Sequence, residues 1–105
     1  QTDSAVDDGD LKPNKFSLYQ NYPNPFNPVT RINYDLLIKD NVTITIHDIL
    51  GRHIKTLVNQ IQPAGHRSVI WDATNDFGNP VSAGVYLYKI QAGEFVQTRK
   101  MVLLK

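Results

Sequence analysis

A chain of 105 residues is long enough to bury one hydrophobic core and too short for two domains. Its composition, 41% hydrophobic and 20% charged, is that of a globular protein and excludes a fibrous or wholly disordered chain. The absence of cysteine excludes disulfides, zinc–thiolate centres and thiol catalysis. Residues 11–105 carry a formal charge of only +5 and lack Lys/Arg clusters, which argues against a nucleic-acid groove. No apolar run approaches the length of a transmembrane segment.

The first fifteen residues have the composition of a linker. Residues 1 to 10 carry four aspartates and no basic residue. Residues 11 to 105 carry eleven basic and six acidic groups, so the body has a formal charge of +5. Because so polar a segment buries too little apolar surface to offset its ordering entropy, we predict a flexible acidic linker over residues 1–15 and a folded domain over residues 16–105. A chain that begins at Gln1 is also expected to be a piece of a longer protein.

The segment Asn21–Pro28, with the sequence NYPNPFNP, has the stiffest backbone of the chain. Proline fixes φ and removes an amide donor, so neither a helix nor a central strand can run through this segment. The residues that precede the prolines are restricted to extended conformations as well. We therefore predict a rigid strap, called the proline strap below, that leads the chain onto the folded domain with Tyr22 and Phe26 against the edge of the core. A purely structural role for the strap is favoured over contact with a partner.

From Phe16 onward, short apolar runs return about every ten residues and are separated by Gly, Asn, Asp and Pro. The runs alternate apolar and polar residues with a period of two, and helical periodicity is nowhere sustained. This pattern predicts an all-β sandwich or barrel. The seven predicted strands are Phe16–Tyr19, Arg31–Leu37, Val42–Asp48, His53–Val58, Arg67–Asp72, Val85–Gln91 and Phe95–Leu104.

The alternation also predicts which residues form the core. In the third strand, Val42, Ile44 and Ile46 are expected to face inward, and the intervening Thr and His residues to face solvent. Gly51 is expected to take positive φ in the turn that follows. The single tryptophan is expected to anchor the core. The predicted core consists of Trp71, Ile44, Ile46, Val69, Tyr86 and Ile90.

The sequence predicts neither an enzyme nor a cofactor site. Its single glutamate, Glu94, lies beside a hairpin turn, and His47, His53 and His66 lie on or next to exposed strand positions without an HExxH motif. No serine has the glycine-rich surroundings of a nucleophile elbow. A catalytic site needs a nucleophile, a base and an orienting group together, and the sequence pattern offers no such set.

The loop between Trp71 and Gly84 places several side-chain oxygens at close spacing. Calcium binds six to eight oxygens of this kind, which makes Asp72, Asn75 and Asp76 weak candidates for its ligands. No glutamate completes this ligand set. Turns also require Asn and Asp beside glycine and proline. The sequence therefore favours turn chemistry over a metal site.

The C-terminal segment Thr98–Lys105, with the sequence TRKMVLLK, places a basic pair before four apolar residues. In one interpretation it is a last strand that is buried on both faces, with Val102 and Leu104 on one side and Met101 and Leu103 on the other. In the other interpretation, a chain that ends on a β-strand presents a free terminus and a free edge to a receptor. The pattern favours the first interpretation and leaves the second open.

Six segments of the chain carry a family resemblance when they are taken together. They are NYPNPFNP (Asn21–Pro28), TRINY (Thr30–Tyr34), DILGR (Asp48–Arg52), PAGHRSVIWD (Pro63–Asp72), NPVSAGVYLYKI (Asn79–Ile90) and TRKMVLLK (Thr98–Lys105). In order and spacing they resemble the type A C-terminal sorting domain of the type IX secretion system, the Por secretion tail family. The resemblance covers residues 16–105 and extends more loosely to the Ig-like domain of flagellar hook-capping proteins. It implies a seven-stranded antiparallel Ig-like β-sandwich.

The resemblance also implies a function, that of a non-catalytic address label at the C-terminus of a larger protein of Bacteroidota or related phyla. Such a label directs its N-terminal passenger from the periplasm through the outer-membrane type IX translocon, with a shuttle protein, to the cell surface or the medium. A sortase-like peptidase then cuts in or near the linker. By position, the implied recognition residues are Gly84, Val85, Tyr86, Arg99, Lys100, Met101, Val102, Leu103, Leu104 and Lys105. The basic side chains among them are expected to lie in solvent.

Two other functions stay open on the residues alone. A carbohydrate- or surface-binding β-sandwich module needs a row of exposed aromatic side chains, for which Tyr19, Tyr22, Tyr34, Tyr86 and Tyr88 are the candidates. Several of these tyrosines occupy alternate positions that are expected to be buried. The other function is a structural Ig-like spacer in an extracellular or flagellar assembly.

Overall fold

The computed structural model of the chain describes residues 12–104, and within that range it has seven β-strands and no helix. The strands are β1 (Ser17–Leu18), β2 (Thr30–Leu36), β3 (Asp40–Asp48), β4 (His53–Gln62), β5 (Gly65–Trp71), β6 (Gly84–Ala92) and β7 (Phe95–Leu103). They build two antiparallel sheets, one in the order β1-β2-β5 and one in the order β4-β3-β6-β7. The prediction of a seven-stranded antiparallel Ig-like sandwich is confirmed. Most of the predicted linker, residues 1–11, lies outside the described residues.

Strand β4 departs most from its predicted bounds. The alternation predicts an end at Val58, but the strand runs on to Gln62. The added residues include Asn and Gln, which have little preference for strands. They are held in the sheet because Asn59–Gln62 pair in register with Asp40–Thr43 at the start of β3. Long-range pairing therefore overrides the local preference of these residues.

The inward faces of the two sheets form one core. Val42, Ile44 and Ile46 are fully buried on β3, as the alternation predicts. Trp71 at the end of β5 is also fully buried, and its indole N–H donates to the carbonyl oxygen of Thr74 at 2.9 Å. Pairing its one polar atom lets the tryptophan contribute its full apolar area to the core. Of the predicted core residues, Trp71, Ile44, Ile46, Tyr86 and Ile90 are buried, and Val69 packs against the core while partly exposed.

The proline strap lies along the edge of β7. The amide of Phe26 donates to the carbonyl oxygen of Val102 at 3.0 Å, and the amide of Leu104 donates to the carbonyl oxygen of Phe26 at 2.8 Å. The amide of Val102 donates to Oδ1 of Asn24 at 3.0 Å. These bonds satisfy edge groups of β7 that no full strand covers. The stiffness of the strap therefore serves to cap β7 as well as to lead the chain onto the sandwich.

One of the two aromatic residues of the strap is buried. Phe26 is 1% exposed, and the centroid of its ring lies 5.8 Å from that of Trp71. Tyr22 is 78% exposed, so the prediction that it packs against the core is wrong. The main chain of Tyr22 pairs with that of Arg31 through hydrogen bonds of 2.9 and 2.8 Å, and this pairing leaves the tyrosine ring on the solvent side.

Candidate functional site

The structure brings the two predicted recognition segments together. The GVY segment begins β6, and the C-terminal segment ends β7, the neighbouring strand of the four-stranded sheet. Because the two strands are antiparallel, the start of one lies beside the end of the other. The paired residues are Gly84↔Leu103, Val85↔Val102, Tyr86↔Met101 and Leu87↔Lys100.

Three of the predicted recognition residues face the core. Tyr86 is 6% exposed, and Met101 and Leu103 are at most 1% exposed. The hydroxyl of Tyr86 donates to the carbonyl oxygen of Ser82 at 2.6 Å, the hydrogen bond of a tyrosine corner in Ig-like domains. Burial raises the pKa of this hydroxyl, so it stays protonated and donating. Packing and the local corner account for these three side chains, which offer almost no surface to a partner.

Gly84 is explained by its backbone. Its φ is +148°, a conformation that L side chains rarely adopt, while no atom lies within 4 Å of the place where a Cβ would stand. A side chain would therefore be strained here although it has room. The glycine of the GVY segment is required by the path of the chain into β6.

Four further residues of the two segments face outward on the four-stranded sheet. Val85 and Val102 lie opposite each other and are half-buried, Lys100 is exposed, and Leu104 just beyond β7 is 57% exposed. We call these four residues the outer patch. Strands β6 and β7 carry the outward lysines Lys89 and Lys100 and no acidic residue. The outer patch is thus apolar with a basic rim, and it suits a partner that presents apolar and acidic groups.

The prediction that Arg99 lies in solvent is wrong. Arg99 is half-buried, and its Nε donates to the carbonyl oxygen of Leu18 at 2.7 Å. Strands β1 and β7 belong to different sheets, so this bond ties the two sheets together along their shared open side. Lys100 is exposed as predicted, and Lys105 lies outside the described residues. Arg99 is therefore a structural residue.

Both interpretations of the C-terminal strand need correction. Leu104 is 57% exposed, so the segment is not buried on both faces. The edge of β7 is not free at this end either, because the proline strap bonds to the main chain of Val102 and Leu104. At this end of β7 the outward side chains are therefore more accessible than the main chain.

The oxygen-rich loop uses its side chains to hold its own main chain. Oδ1 of Asn75 accepts from two loop amides at 3.0 Å each, and Oδ1 of Asp72 accepts from the hydroxyl of Thr74 at 2.6 Å. Oδ1 of Asp76 accepts from the amide of Thr56 at 2.9 Å, which ties the loop to β4. These hydrogen bonds lower the pKa of Asp72 and of Asp76. Within residues 12–104, no three histidine, aspartate or glutamate side chains converge on a point that could hold a metal ion.

The aromatic row that a carbohydrate site needs does not form. Tyr34, Tyr86 and Tyr88 are each at most 6% exposed and belong to the core. Tyr19 and Tyr22 are the two tyrosines with large exposed surfaces, 46% and 78%. The structure therefore removes three of the five candidate aromatics from the surface and gives no support to a carbohydrate-binding module.

Sequence reasoning missed a polar groove on the outer face of the three-stranded sheet. Asp35 is only 6% exposed, and its Oδ1 accepts a hydrogen bond from Nδ1 of His66 at 2.7 Å. The hydroxyl of Tyr19 donates to Oδ2 of Asp35, and this bond raises the pKa of Tyr19. A groove of about 600 Å³ lies beside these residues and is also lined by Asn33 and Ser68. The outward position of Asp35 in the alternation of β2 is the one signal that could have drawn attention to this face.

These features define a small Ig-like β-sandwich in which the two predicted recognition segments pair on β6 and β7. The chain belongs to the secretion system C-terminal sorting domain family, which it matches over residues 20–104. This family provides the C-terminal sorting signals of the type IX secretion system, whose proteins reach the cell surface or the outside. In the part of the chain that the structure describes, no helix is apolar and long enough to cross a membrane. No curated protein matches the sequence.

Several solved structures share the fold. Dimeric latent PorU from Porphyromonas gingivalis matches 81% of this chain with a TM-score of 0.67 and 20% identity, over 9% of PorU. PorZ, described as an essential surface component of the type IX secretion system of the same organism, matches 86% of this chain with a TM-score of 0.57 and 20% identity, over 11% of PorZ. FlgD from P. aeruginosa matches 70% of this chain with a TM-score of 0.57 and 23% identity, over 58% of FlgD. At these identities the likeness shows the fold alone, and this chain spans only part of each protein.

Proposed function

We propose that this domain carries a larger N-terminal passenger through the outer membrane by way of the type IX translocon and its shuttle protein, and is then cut off. The observation that carries the proposal is the pairing of the two recognition segments on β6 and β7 in a chain of the sorting-domain family. Because the segments are adjacent, a single partner surface contacts both at once. The domain itself supplies binding and no catalysis.

In this proposal, the partner binds the outer patch. Val85, Val102 and Leu104 supply apolar surface, and Lys100 supplies the charge at its rim. The buried residues of the two segments, such as Tyr86, hold that surface in place. Recognition thus depends on the fold, since the outward residues come from two strands that meet only in the folded domain.

The described end of the linker, residues 12–15, lies against the opposite sheet. Lys12 and Lys15 line a groove that also contains Asp35 and His66, on the outer face of the three-stranded sheet. The outer patch lies on the four-stranded sheet, so a partner bound there leaves the linker accessible. A sortase-like peptidase can then cut in or near residues 1–15 while the domain is still held.

A secreted reporter tests the proposal. The reporter carries a Sec signal, is fused ahead of residues 1–105, and is expressed in a host with type IX machinery. We expect the reporter outside the cell and cut in or near residues 1–15, and we expect the intact fusion in the periplasm of a matched host without the translocon. Retention of a folded, uncut fusion in the periplasm of the complete host would contradict the proposal and favour a structural spacer.

A further inference from the structure

Strand β2 directs its main-chain groups alternately to its two neighbours. The amide of Tyr19 donates to the carbonyl oxygen of Asn33 at 3.0 Å, and the main chain of Arg31 pairs with that of Tyr22. Asn33 and Arg31 therefore direct their hydrogen-bonding groups toward β1 and the strap. In an antiparallel ladder, the intervening residues of β2 then bond to β5.

The register of this ladder fixes which groups of β5 are left over. Arg67 and Val69 lie opposite the intervening residues of β2 and bond to them. The main-chain groups of His66, Ser68 and Ile70 point away from the sheet. Outside the strand ladders, none of the main-chain hydrogen bonds within residues 12–104 involves any of these three residues. We call their main-chain groups the free edge of β5.

Most of the other edges of the sandwich are covered or interrupted within residues 12–104. The proline strap covers the end of β7, and Arg99 takes the carbonyl oxygen of Leu18 on β1. Strand β4 is tied to a loop through Asp76, and its pairing with β3 shifts register twice, which disturbs the first half of its edge, whereas Asn59–Gln62 pair regularly. Edge strands are usually protected in such ways, or by lysine or proline. Strand β5, with the sequence GHRSVIW, has neither residue.

The side chains beside the free edge select what binds there. Because Nδ1 of His66 is bonded to Asp35, Nε2 is left to meet a residue across the edge. Oγ of Ser68 accepts from the guanidinium of Arg31 at 3.0 Å, so its hydroxyl hydrogen is left to donate. Ile70 is 50% exposed and offers apolar surface. The edge thus presents a basic, a hydroxyl and an apolar position in alternation.

We propose that the free edge of β5 binds an extended segment of a partner polypeptide as an added antiparallel strand. Directly opposite side chains interact across such a pair. A β-branched aliphatic residue fits opposite Ile70 and a serine or threonine opposite Ser68. An aspartate or glutamate fits opposite the doubly protonated ring of His66, which donates from Nδ1 to Asp35 and from Nε2 to the partner. From its N-terminus, the partner segment therefore reads V/I-x-S/T-x-D/E. The proposal is independent of the sorting function, since no residue of the outer patch takes part.

A second copy of this chain fits the edge less well. If two β5 strands paired about Ser68, each His66 would lie opposite Ile70 of the copy, which leaves both the basic and the apolar position without a matching partner. A partner strand with the stated pattern satisfies all three positions.

Two peptides of the same composition test the pattern. The peptide TVTTTDT, acetylated and amidated, places valine opposite Ile70 and aspartate opposite His66, and the peptide TDTTTVT exchanges them. With the full ¹⁵N-labelled chain, we expect TVTTTDT to give saturable amide shifts and slower hydrogen exchange at His66, Ser68 and Ile70. We expect TDTTTVT to bind about fivefold more weakly, because two cross-strand pairs are lost.

Backbone changes then separate strand addition from any other contact. Ser68→Pro removes a main-chain amide of the free edge and should weaken the binding of TVTTTDT by about tenfold or more. Ser68→Ala keeps that amide and should change the affinity for the peptide by less than about threefold. If Ser68→Pro does not fold, N-methylation of the peptide's fourth residue should abolish binding to the unmodified chain, whereas N-methylation of the third residue should not. The third residue directs its amide away from β5.

Four results would overturn the proposal. They are no saturable shift at millimolar peptide, equal affinity for the two peptides, shifts centred on Asn59–Gln62 of β4 instead of β5, and protection of the β5 amides that rises with protein concentration alone. The last result would assign the edge to a second copy of the chain. Each result leaves the export experiment unaffected, so the two proposals fail separately.

Discussion

The side-chain oxygen of Asn24 accepts a hydrogen bond from the main-chain amide of Val102, 3.0 Å away in space and 78 positions later in the chain. The proline strap and the last strand of the sandwich are thus one structural unit. Phe26 adds two main-chain bonds, one to Val102 in the same strand and one to Leu104 just beyond it. A substitution in the proline strap should therefore alter the position of the outer patch, although the two are far apart in the sequence.

Loss of the buried strap residue should destabilise the domain severely. Phe26 is 1% exposed and packs against Trp71, so Phe26→Ala should lower the free energy of unfolding by about 3–5 kcal/mol. The matched control is Tyr22→Ala, which alters the exposed aromatic of the same strap and should change stability by less than about 0.5 kcal/mol. Urea unfolding measures both variants. Similar losses in the two would show that the strap is not anchored by Phe26.

The two neighbouring basic residues should behave differently. Arg99→Gln removes the hydrogen bond to Leu18 that joins the sheets and should cost about 1.5–3 kcal/mol. Lys100→Gln changes an exposed residue and should cost less than about 0.5 kcal/mol. Thermal unfolding compares them at equal net charge. If Lys100→Gln proved as destabilising as Arg99→Gln, the assignment of Arg99 as the structural residue of the pair would be wrong.

Stability should fall in acid. Hydrogen bonds from the amides of Arg52 and Thr56 lower the pKa of Asp48 and of Asp76, respectively, below the value in the unfolded chain. A depressed folded-state pKa contributes stability that is present above about pH 4 and is lost as the pH falls through the folded-state value. The urea midpoint of the wild type should therefore decline below about pH 4, and that of the double variant Asp48→Asn/Asp76→Asn should decline less. Parallel declines would mean that these carboxylates do not drive the acid sensitivity.

The oxygen-rich loop should be indifferent to calcium. The side-chain oxygens of Asp72, Asn75 and Asp76 already accept protein hydrogen bonds, so a cation would have to displace them. We expect melting temperatures in chelator and in millimolar calcium to agree within about 1 °C. A calcium-dependent rise of several degrees would show that the loop rearranges to bind the ion.

The strands could be predicted because their signals are local. The alternation of Val42, Ile44 and Ile46 is readable within a few residues, and all three are buried. Gly51 takes a φ of +87° in the turn after β3, as its place in DILGR predicts. The polar end of β4 has no such local signal, since it becomes a strand only by pairing with β3.

The roles of individual site residues could not be predicted, because they depend on contacts between distant segments. The partner of Arg99 lies 81 positions away, and that of Asp35 lies 31 positions away. The family resemblance therefore predicted the two recognition segments without separating Lys100, which faces solvent, from Arg99, which does not. The direction of each side chain follows from the register of β6 and β7, which only the assembled sheet defines.

Export of charge-reversal variants tests the central claim most directly. Lys100→Glu and Lys89→Glu change the net charge equally on the outward side of neighbouring strands, but only Lys100 belongs to the outer patch. With unchanged melting curves, we expect Lys100→Glu to retain the reporter in the periplasm and Lys89→Glu to leave export at the wild-type level. Wild-type export of the Lys100→Glu fusion, or equal loss in both variants, would contradict recognition through the outer patch.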